Sequence, residues 1–172
     1  MSHPFAAVAH ALAKRSVRYV LIGVSGANLY GPAGQAVFTT DDFDLFLPLD
    51  PDNVVGAWAA CDDAGLELWL ADEPLDRPRD RWLAERIIER RVLVRAGGRE
   101  RASIDLTLVM QGFDFETAWG GRRVFEIEGA EVPVARLLHI VTSKQATGRD
   151  KDKLFLAAHR DALEQLLKRP GE

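Results

Sequence analysis

Residues 21–48, LIGVSGANLYGPAGQAVFTTDDFDLFLP, combine a glycine-containing turn with a strand that carries acidic side chains. An apolar run ends at Gly23, and further along the chain Asp42 and Asp44 alternate with apolar residues. Because successive side chains of a strand point to opposite faces, the two carboxylates share one face and the apolar side chains point to the core. Burying carboxylates without partners is costly, so this arrangement predicts a bound metal ion.

Length and composition are those of a globular protein. The chain has 172 residues, of which 47% are hydrophobic and 28% charged, and we expect one domain over residues 1–172. It shows neither an apolar run as long as a membrane span nor the pattern of a signal peptide, which favours a cytoplasmic protein with no membrane partner. The single cysteine, Cys61, excludes an internal disulfide and fits a reducing compartment.

Charge is distributed unevenly around a net value of −4. Residues 41–76 contain eleven Asp or Glu and no Lys or Arg, whereas residues 77–101 contain nine Arg and four acids. One interpretation is two solvated faces. The other is a cation-binding half beside a basic half that accepts polyanions, for example in one RNA contact.

Helix and strand signals alternate along the chain, which predicts an α/β or α+β fold with a β-sheet flanked by helices. Polar and Gly-rich or Pro-rich stretches separate the elements. The predicted helices cover residues 4–15, 25–30, 50–64, 79–89, 114–119, 135–145 and 150–168. The predicted strands cover residues 17–23, 42–48 and 66–70, a hairpin over 90–110 that turns at 96–100, and a strand–turn–strand over 122–134, with a loop at 71–78.

A third carboxylate lies on the second strand of the predicted hairpin. In the segment SIDLTLV, Asp105 shares a face with Ser103 and Thr107, and it needs a partner if it is buried. Carboxylates on adjacent strands make a hard, oxygen-rich site that suits Mg²⁺ or Mn²⁺, and two such ions can stabilise both oxygens of a phosphoryl transfer. Without metal the three carboxylates repel one another, so at least one of them should have a raised pKa.

The glycine turn supplies a complementary feature. Gly23 ends a strand and Ser25 begins a short helix, so backbone N–H groups at this turn are predicted to hold a phosphate. A basic segment follows much later, with Lys144 near a helix end and Arg149 and Lys151 beyond a glycine. These cations can neutralise the charge of a triphosphate. The alternative is a solvated helix junction in which they pair with the neighbouring Asp150 and Asp152.

Together these motifs resemble the polymerase-β-type nucleotidyltransferase superfamily, in particular its small prokaryotic minimal and abortive-infection-type branch. The resemblance rests on the glycine turn, on TDDFD from Thr40 to Asp44, on Asp105, and on HIVTSKQATGRDKDKLFLAAH at 139–159, and it covers about residues 17–160. It implies a nucleotidyltransferase-like mixed sheet followed by C-terminal helices.

The resemblance also implies a function for each of these residues. An NTP would bind with its phosphates on residues 23–26, near Thr40, with Lys144 and Arg149 as further phosphate ligands. Asp42 and Asp44 would hold Mg²⁺ or Mn²⁺. Asp105 would ligate the second metal and act as the general base for an acceptor hydroxyl. The acceptor stays open between RNA such as a tRNA end, a protein, an aminoglycoside and another small molecule. A cognate toxin or antitoxin is a further partner that the resemblance suggests.

Alternative functions start from the same residues. Val24 stands where the family has a second Gly or Ser, which favours a catalytically silent module that acts through a protein partner. The family's Arg shortly before the Thr is also absent, with Val37 and Phe38 in its place. A glycosyltransferase with an Asp-x-Asp motif would leave Asp105 and the glycine turn unexplained, and a haloacid-dehalogenase-type phosphatase would need a different sequence after Asp44.

Overall fold

The computed structural model describes residues 2–31, 38, 40, 42–98 and 102–169. Their helices are α1 (Ala6–Lys14), α2 (Gly23–Asn28), α3 (Pro51–Asp63), α4 (Arg81–Arg90), α5 (Phe115–Gly120), α6 (Leu137–Thr147), α7 (Asp150–Ala158) and α8 (Arg160–Leu167). Their strands are β1 (Val20–Ile22), β2 (Asp42–Phe46), β3 (Glu67–Leu70), β4 (Glu73–Pro74), β5 (Val94–Gly97), β6 (Ser103–Thr107), β7 (Arg123–Ile127) and β8 (Ala130–Val134).

The strands form one mixed sheet in the order β4-β3-β5-β6-β2-β1-β8-β7. The β2–β6 and β1–β8 pairs are parallel, and the remaining neighbours are antiparallel. With the helices that flank this sheet, the predicted α/β class with a mixed sheet and C-terminal helices is confirmed. The predicted hairpin is the β5–β6 pair, and the strand–turn–strand is β7–β8. Part of the β5–β6 turn lies outside the described residues, as do Asp41 and the glycine–proline stretch after Gly31.

Aspartate side chains fix where three of the helices begin. Asp50 accepts hydrogen bonds from the backbone N–H groups of Asp52 at 3.0 Å and Asn53 at 3.4 Å, and Pro51 occupies the first turn. Asp80 caps α4 and Asp114 caps α5 in the same way. A side-chain oxygen at this position satisfies backbone donors that the helix cannot, which explains why the start of α3 at Asp50 and Pro51 was predictable.

Two predicted elements differ from the structure. The last helix, predicted over 150–168, is two helices that meet at His159, where the backbone has φ −115° and ψ 19°. The His159 ring packs on Phe38 at 4.7 Å and on Phe155 at 5.0 Å between centroids, and this aromatic contact accompanies the break. The second difference is β4, which lies within the predicted loop 71–78 and pairs with β3.

The two faces of β2 have different surroundings. On one face, Phe43 stacks on the fully buried Phe5 with 5.2 Å between ring centroids, next to α1. Leu45 points the same way and is completely buried. Because residues of a strand alternate, Asp42 and Asp44 project from the other face, on the side of α2, α6 and α7.

Several arginines of the arginine-rich segment pair with carboxylates within the fold. Arg79 lies 3.4 Å from Asp62, Arg81 lies 2.9 Å from Asp52, and Arg86 lies 2.8 Å from Glu89. The first two pairs join α4, or the residue just before it, to acidic side chains of α3, and the third pair lies within α4. They favour the interpretation of solvated faces over a polyanion-binding half. Among the described residues, no helix is both long and apolar enough for a bilayer crossing.

Replacing the buried Leu45 by Ala should destabilise the protein by about 2–5 kcal/mol, because it leaves a cavity under the strand that carries the aspartates. The matched control is Leu154→Ala on α7, where the side chain is 71% exposed. This control should change the free energy of unfolding by no more than about 0.5 kcal/mol. Urea unfolding of both variants measures the difference. Equal effects would contradict the position of β2 in the core.

Candidate active site

The register between β2 and β6 brings three aspartates together. Asp42 lies opposite Ser103 and Asp44 lies opposite Asp105 in this parallel pair. Paired residues of neighbouring strands point to the same face, so all three carboxylates open into one cavity of about 680 Å³. The structure thus places the three predicted acidic residues in the same cavity.

The opposite wall of this cavity comes from helices. Lys144 and Ser143 on α6 line it, together with Arg149, which precedes α7, and Lys151 and Phe155 on α7. Arg95 on β5 lines the side next to Asp105. Three cations of the segment at 139–159 therefore line the same cavity as the aspartates.

Two hydroxyl groups contact Asp42, one from Ser103 on the neighbouring strand β6 and one from Thr40 just before β2. The Ser103 hydroxyl donates a short hydrogen bond to the Asp42 carboxylate. Thr40 Oγ1 accepts from the Asp42 backbone N–H and donates to the Asp42 carbonyl, both at 3.2 Å. Thr40, predicted at the nucleotide site, lines the cavity and also orients the first residue of β2.

Asp44 carries a charge that the described residues do not compensate by hydrogen bonding. None of them donates to its carboxylate, and burial raises its pKa from 3.8 to about 6, assisted by the negative charge of Asp105 and opposed by Lys144. The predicted rise in the pKa of at least one clustered carboxylate is therefore confirmed. The larger cause is burial, however, and repulsion between the carboxylates comes second.

Asp105 has a partner that the sequence interpretation missed. Arg95 Nε lies 2.7 Å from Asp105 Oδ1 and Arg95 Nη2 lies 3.2 Å from Oδ2, so the guanidinium binds both carboxylate oxygens. This pairing explains how Asp105 is buried within an apolar strand. The two residues are cross-strand neighbours in the β5–β6 hairpin. An opposite-charge pair at equal distance from the turn was the signal available in the sequence.

The glycine turn is built around Asp44. Gly23 has φ +68°, which favours glycine, and a Cβ atom there would displace the Asp44 carboxylate. Val24 is not among the described residues with positive φ, and it lines the cavity in ordinary helical backbone. The β-branched side chain at this position therefore leaves the turn unstrained.

Ser25 does not begin the short helix as predicted, because α2 already begins at Gly23. Its side chain is buried and it does not line the cavity. The hydroxyl donates to the Ile22 carbonyl at 3.0 Å and accepts from the Asp44 backbone N–H at 3.2 Å. The Ser25 hydroxyl therefore has a structural role, because it joins the glycine turn to β2 next to Asp44, and a phosphate contact of the backbone at this turn stays a prediction.

Lys144 and Arg149 share a buried carboxylate. Asp152 is 1% exposed, and it receives Lys144 Nζ at 3.2 Å and Arg149 Nε at 2.7 Å. Burial acts to raise the pKa of Asp152, but these hydrogen bonds hold it below its usual value. The predicted alternative of pairing within the helix junction is therefore partly realised, with Asp152 as the partner. Both cations nevertheless line the cavity, so the buried carboxylate orients them towards it.

The carboxylates of the cavity supply some, but not all, of the oxygen ligands that a divalent cation needs. Among the residues that the structure describes, no three Asp, Glu, His or Cys side chains stand together as a ready ligand group. Asp42 and Asp44 offer two carboxylates on one face, and hard cations accept further oxygen ligands from phosphate and water. Both oxygens of Asp105 contact Arg95, so a metal ion at Asp105 would share this carboxylate with the guanidinium or displace it.

Comparisons with known proteins leave the family of this chain open. No family model and no curated sequence matches it. Among solved structures, it is similar to the solution structure of the antibiotic-resistance factor ANT(2″)-Ia, an aminoglycoside nucleotidyltransferase. The two share 14% identity with a TM-score of 0.49 over 95% of this chain and 92% of the other. A likeness of this size says nothing about which residues act here, so the site's own geometry has to indicate the function.

Gly23→Ala should destabilise the protein by about 1–3 kcal/mol, because alanine is strained at positive φ and its Cβ would displace Asp44. Gly120→Ala on α5 is the matched control, since a Cβ at this position meets no atom within 4 Å. It should change stability by no more than about 0.5 kcal/mol. Thermal and urea unfolding test both variants. A neutral Gly23→Ala would contradict the close approach of Asp44 to the turn.

Asp44→Asn should stabilise the metal-free protein at pH 7.5 by about 1–3 kcal/mol. The folded-state pKa of Asp44 is about 6 against an ordinary value of 3.8. The stabilisation from a protonated Asp44 is thus complete below about pH 4 and is lost as the pH rises through about 6. The asparagine side chain does not ionise, so the Asp44→Asn variant does not lose this stability as the pH rises. At pH 3.5, where Asp44 is protonated, the two proteins should have the same free energy of unfolding.

The measurement for Asp44→Asn is urea unfolding in EDTA across this pH range. Asp72→Asn, at an exposed position, is the control for loss of one carboxylate and should change stability by no more than about 0.5 kcal/mol. Destabilisation by Asp44→Asn at pH 7.5 would show that Asp44 makes a structural contact instead of carrying uncompensated charge.

Proposed function

We propose that this protein transfers a nucleoside monophosphate from an NTP to an acceptor hydroxyl in a metal-dependent reaction. One observation carries the proposal: Asp42, Asp44 and Asp105 open from two paired strands into a cavity whose opposite wall carries Lys144 and Lys151. Paired carboxylates facing oriented cations suit a bound cation and a polyphosphate at the same time.

Each group has a chemical role in this proposal. Mg²⁺ or Mn²⁺, held by Asp42 and Asp44, supplies a Lewis acid for the phosphate oxygens. Lys144, Arg149 and Lys151 bind the triphosphate and neutralise the charge that develops on pyrophosphate. Asp105 accepts the proton of the acceptor hydroxyl, whose oxygen forms a bond to the α-phosphorus while the bond to pyrophosphate breaks. Positioning and charge neutralisation provide the catalysis, and no protein nucleophile is required.

The finer parts of the sequence interpretation remain part of the proposal. The minimal or abortive-infection-type branch, a toxin–antitoxin role with a cognate protein, a cytoplasmic location and the phosphate contacts of the backbone at residues 23–26 all rest on the sequence motifs. Gly23 and Val24 line the cavity beside Asp44, which is compatible with the last of these. RNA, protein and small-molecule hydroxyls all remain candidate acceptors.

A catalytically silent module is the second candidate. The specific observation in its favour is the fork of Arg95 on both oxygens of Asp105, which occupies the general base and second-metal ligand of an active enzyme. In this case the domain would act through a protein partner. The enzyme is expected to bind an NTP in the presence of metal, whereas the silent module does not need to bind one. Nucleotide binding therefore separates the two candidates.

An NTP should bind in the presence of Mg²⁺, and Asp42→Asn or Asp44→Asn should weaken this binding by roughly 10–100-fold, because each removes a charged ligand. Lys144→Ala should weaken it by about 10-fold through loss of a charge-assisted contact. Lys14→Ala, at an exposed position on α1, should leave it unchanged. Isothermal titration calorimetry with each NTP, with Mg²⁺ and with EDTA, gives the affinities.

Transfer itself is tested by offering each α-labelled NTP with Mg²⁺ to total RNA and total protein, and asking which fraction acquires label. Label in one fraction that disappears with Asp105→Asn supports the enzyme. Failure of every NTP to bind in the presence of Mg²⁺ would overturn the proposed transfer and leave the silent module.

A further inference from the structure

The cavity has two chemically different ends. Lys144 and Lys151 line the end formed by α6 and α7. The other end, formed by β5 and β6, is lined by Leu93, Arg95, Thr107 and Val109 and is called the acceptor end below. Under the proposed function, the triphosphate lies at the first end, which leaves the acceptor end for the molecule that carries the attacking hydroxyl.

The acceptor end combines one cation with exposed apolar side chains. Leu93 is 43% exposed and Val109 is 48% exposed, so the cavity lining that contains Arg95 also presents open apolar surface. The Arg95 side chain is 51% exposed although its fork contacts the buried Asp105. Of the described residues that line this end, Asp105 is the nearest carboxylate, and its two oxygens already receive Arg95. With the aspartates of β2 bound to the metal ion of the proposed reaction, a polycationic acceptor would meet the positive charge of Arg95 at this end.

Arg95 also controls the availability of Asp105. A guanidinium remains protonated in proteins and donates two parallel hydrogen bonds to a carboxylate. While both oxygens of Asp105 accept from Arg95, two of the roughly four lone-pair positions of the carboxylate are occupied, and the guanidinium balances its negative charge. A competing anion that draws the guanidinium away would free these positions and leave the full negative charge of Asp105 to attract the hydroxyl proton.

We propose that the acceptor carries a phosphate group next to its reactive hydroxyl, and that this phosphate takes over the Arg95 guanidinium and so releases Asp105. This inference rests on the proposed transfer of a nucleoside monophosphate. A phosphate monoester has about two negative charges and three acceptor oxygens, so it can compete with a single carboxylate for the same fork. The half-exposed position of Arg95 lets its guanidinium turn towards such a group at the mouth of the cavity.

The consequence is a coupling between acceptor binding and base activation. With the phosphate on Arg95, the hydroxyl proton passes to Asp105, the hydroxyl oxygen bonds to the α-phosphorus, and pyrophosphate leaves with the electrons of the broken bond. Without an acceptor, Asp105 stays on Arg95 and water is a poor substrate. Arg95 is in this account a residue that binds the acceptor and positions the base.

The test uses three probes with the same three-carbon diol: glycerol, glycerol 3-phosphate and 3-amino-1,2-propanediol. In the wild-type protein, the ¹⁵N–¹H signal of Arg95 Nε is followed by NMR during titration with each probe, with and without Mg²⁺ and a non-hydrolysable NTP. Arg95→Lys identifies the signal by its loss. We expect glycerol 3-phosphate to shift this signal and the other two probes to leave it in place.

Label transfer from an α-labelled NTP gives the second readout. The wild type should prefer glycerol 3-phosphate over glycerol by about 10-fold or more, Arg95→Gln should reduce this ratio to about one, and Arg95→Lys should restore part of it. Arg90→Gln on α4 removes an exposed arginine and should keep the wild-type ratio. If Arg95 had only a structural role, Arg95→Gln would change the free energy of unfolding but would leave the preference for glycerol 3-phosphate over glycerol unchanged.

The outcomes separate this inference from the proposed function. If the NTP binds with Mg²⁺ but glycerol 3-phosphate neither shifts the Arg95 signal nor exceeds glycerol as acceptor, the phosphorylated acceptor is wrong and nucleotidyl transfer stands. A preference for the amine probe, or an unchanged ratio in Arg95→Gln, also overturns it. If no NTP binds, the proposed function falls by that result alone. If no probe is labelled, the NMR shift decides whether Arg95 receives a phosphate.

Discussion

The parallel pairing of β2 with β6 is the contact on which the rest of the site depends. It sets Asp44 beside Asp105 and leaves Asp42 beside Ser103. Because the two strands are parallel, they reach this register only through the long connection that contains α3 and α4, and α3 packs on α1 and α4. The buried side chains of Leu45 and Ile104 oppose a slip by one residue, which would turn the carboxylates into the core.

Of the four aspartates that line the cavity in the described part of the chain, two are paired with basic side chains and two are not. Asp105 is paired with Arg95, and Asp152 is paired with Lys144 and Arg149. Asp42 accepts only a neutral hydroxyl in the described contacts, and Asp44 has a pKa raised to about 6. The uncompensated negative charge of the metal-free protein is therefore concentrated on the β2 pair. A divalent cation bound there would offset the free-energy cost of burying the Asp44 carboxylate. It would also supply positive charge to balance a bound triphosphate.

Sequence patterns predicted the parts of this arrangement that local chemistry determines. Alternation placed Asp42 and Asp44 on one strand face, and Asp50 with Pro51 marked the start of α3. The parts that failed depend on tertiary contacts. The break at His159 accompanies ring packing on Phe38 and Phe155, which no local glycine or proline announces. Ser25, predicted to begin the short helix, lies inside α2, and its hydroxyl accepts from the Asp44 backbone N–H in the folded sheet.

The central claim is that Asp42 and Asp44 together hold a divalent cation opposite the basic wall of the cavity. Crystals grown with Mn²⁺ and a non-hydrolysable NTP test it directly, because anomalous scattering locates manganese without reference to the surrounding atoms. We predict an anomalous peak within about 2–2.3 Å of a carboxylate oxygen from each of the two aspartates, with phosphate oxygens completing the coordination. Bound nucleotide without manganese at these carboxylates, or manganese held at another place in the protein, would contradict the account.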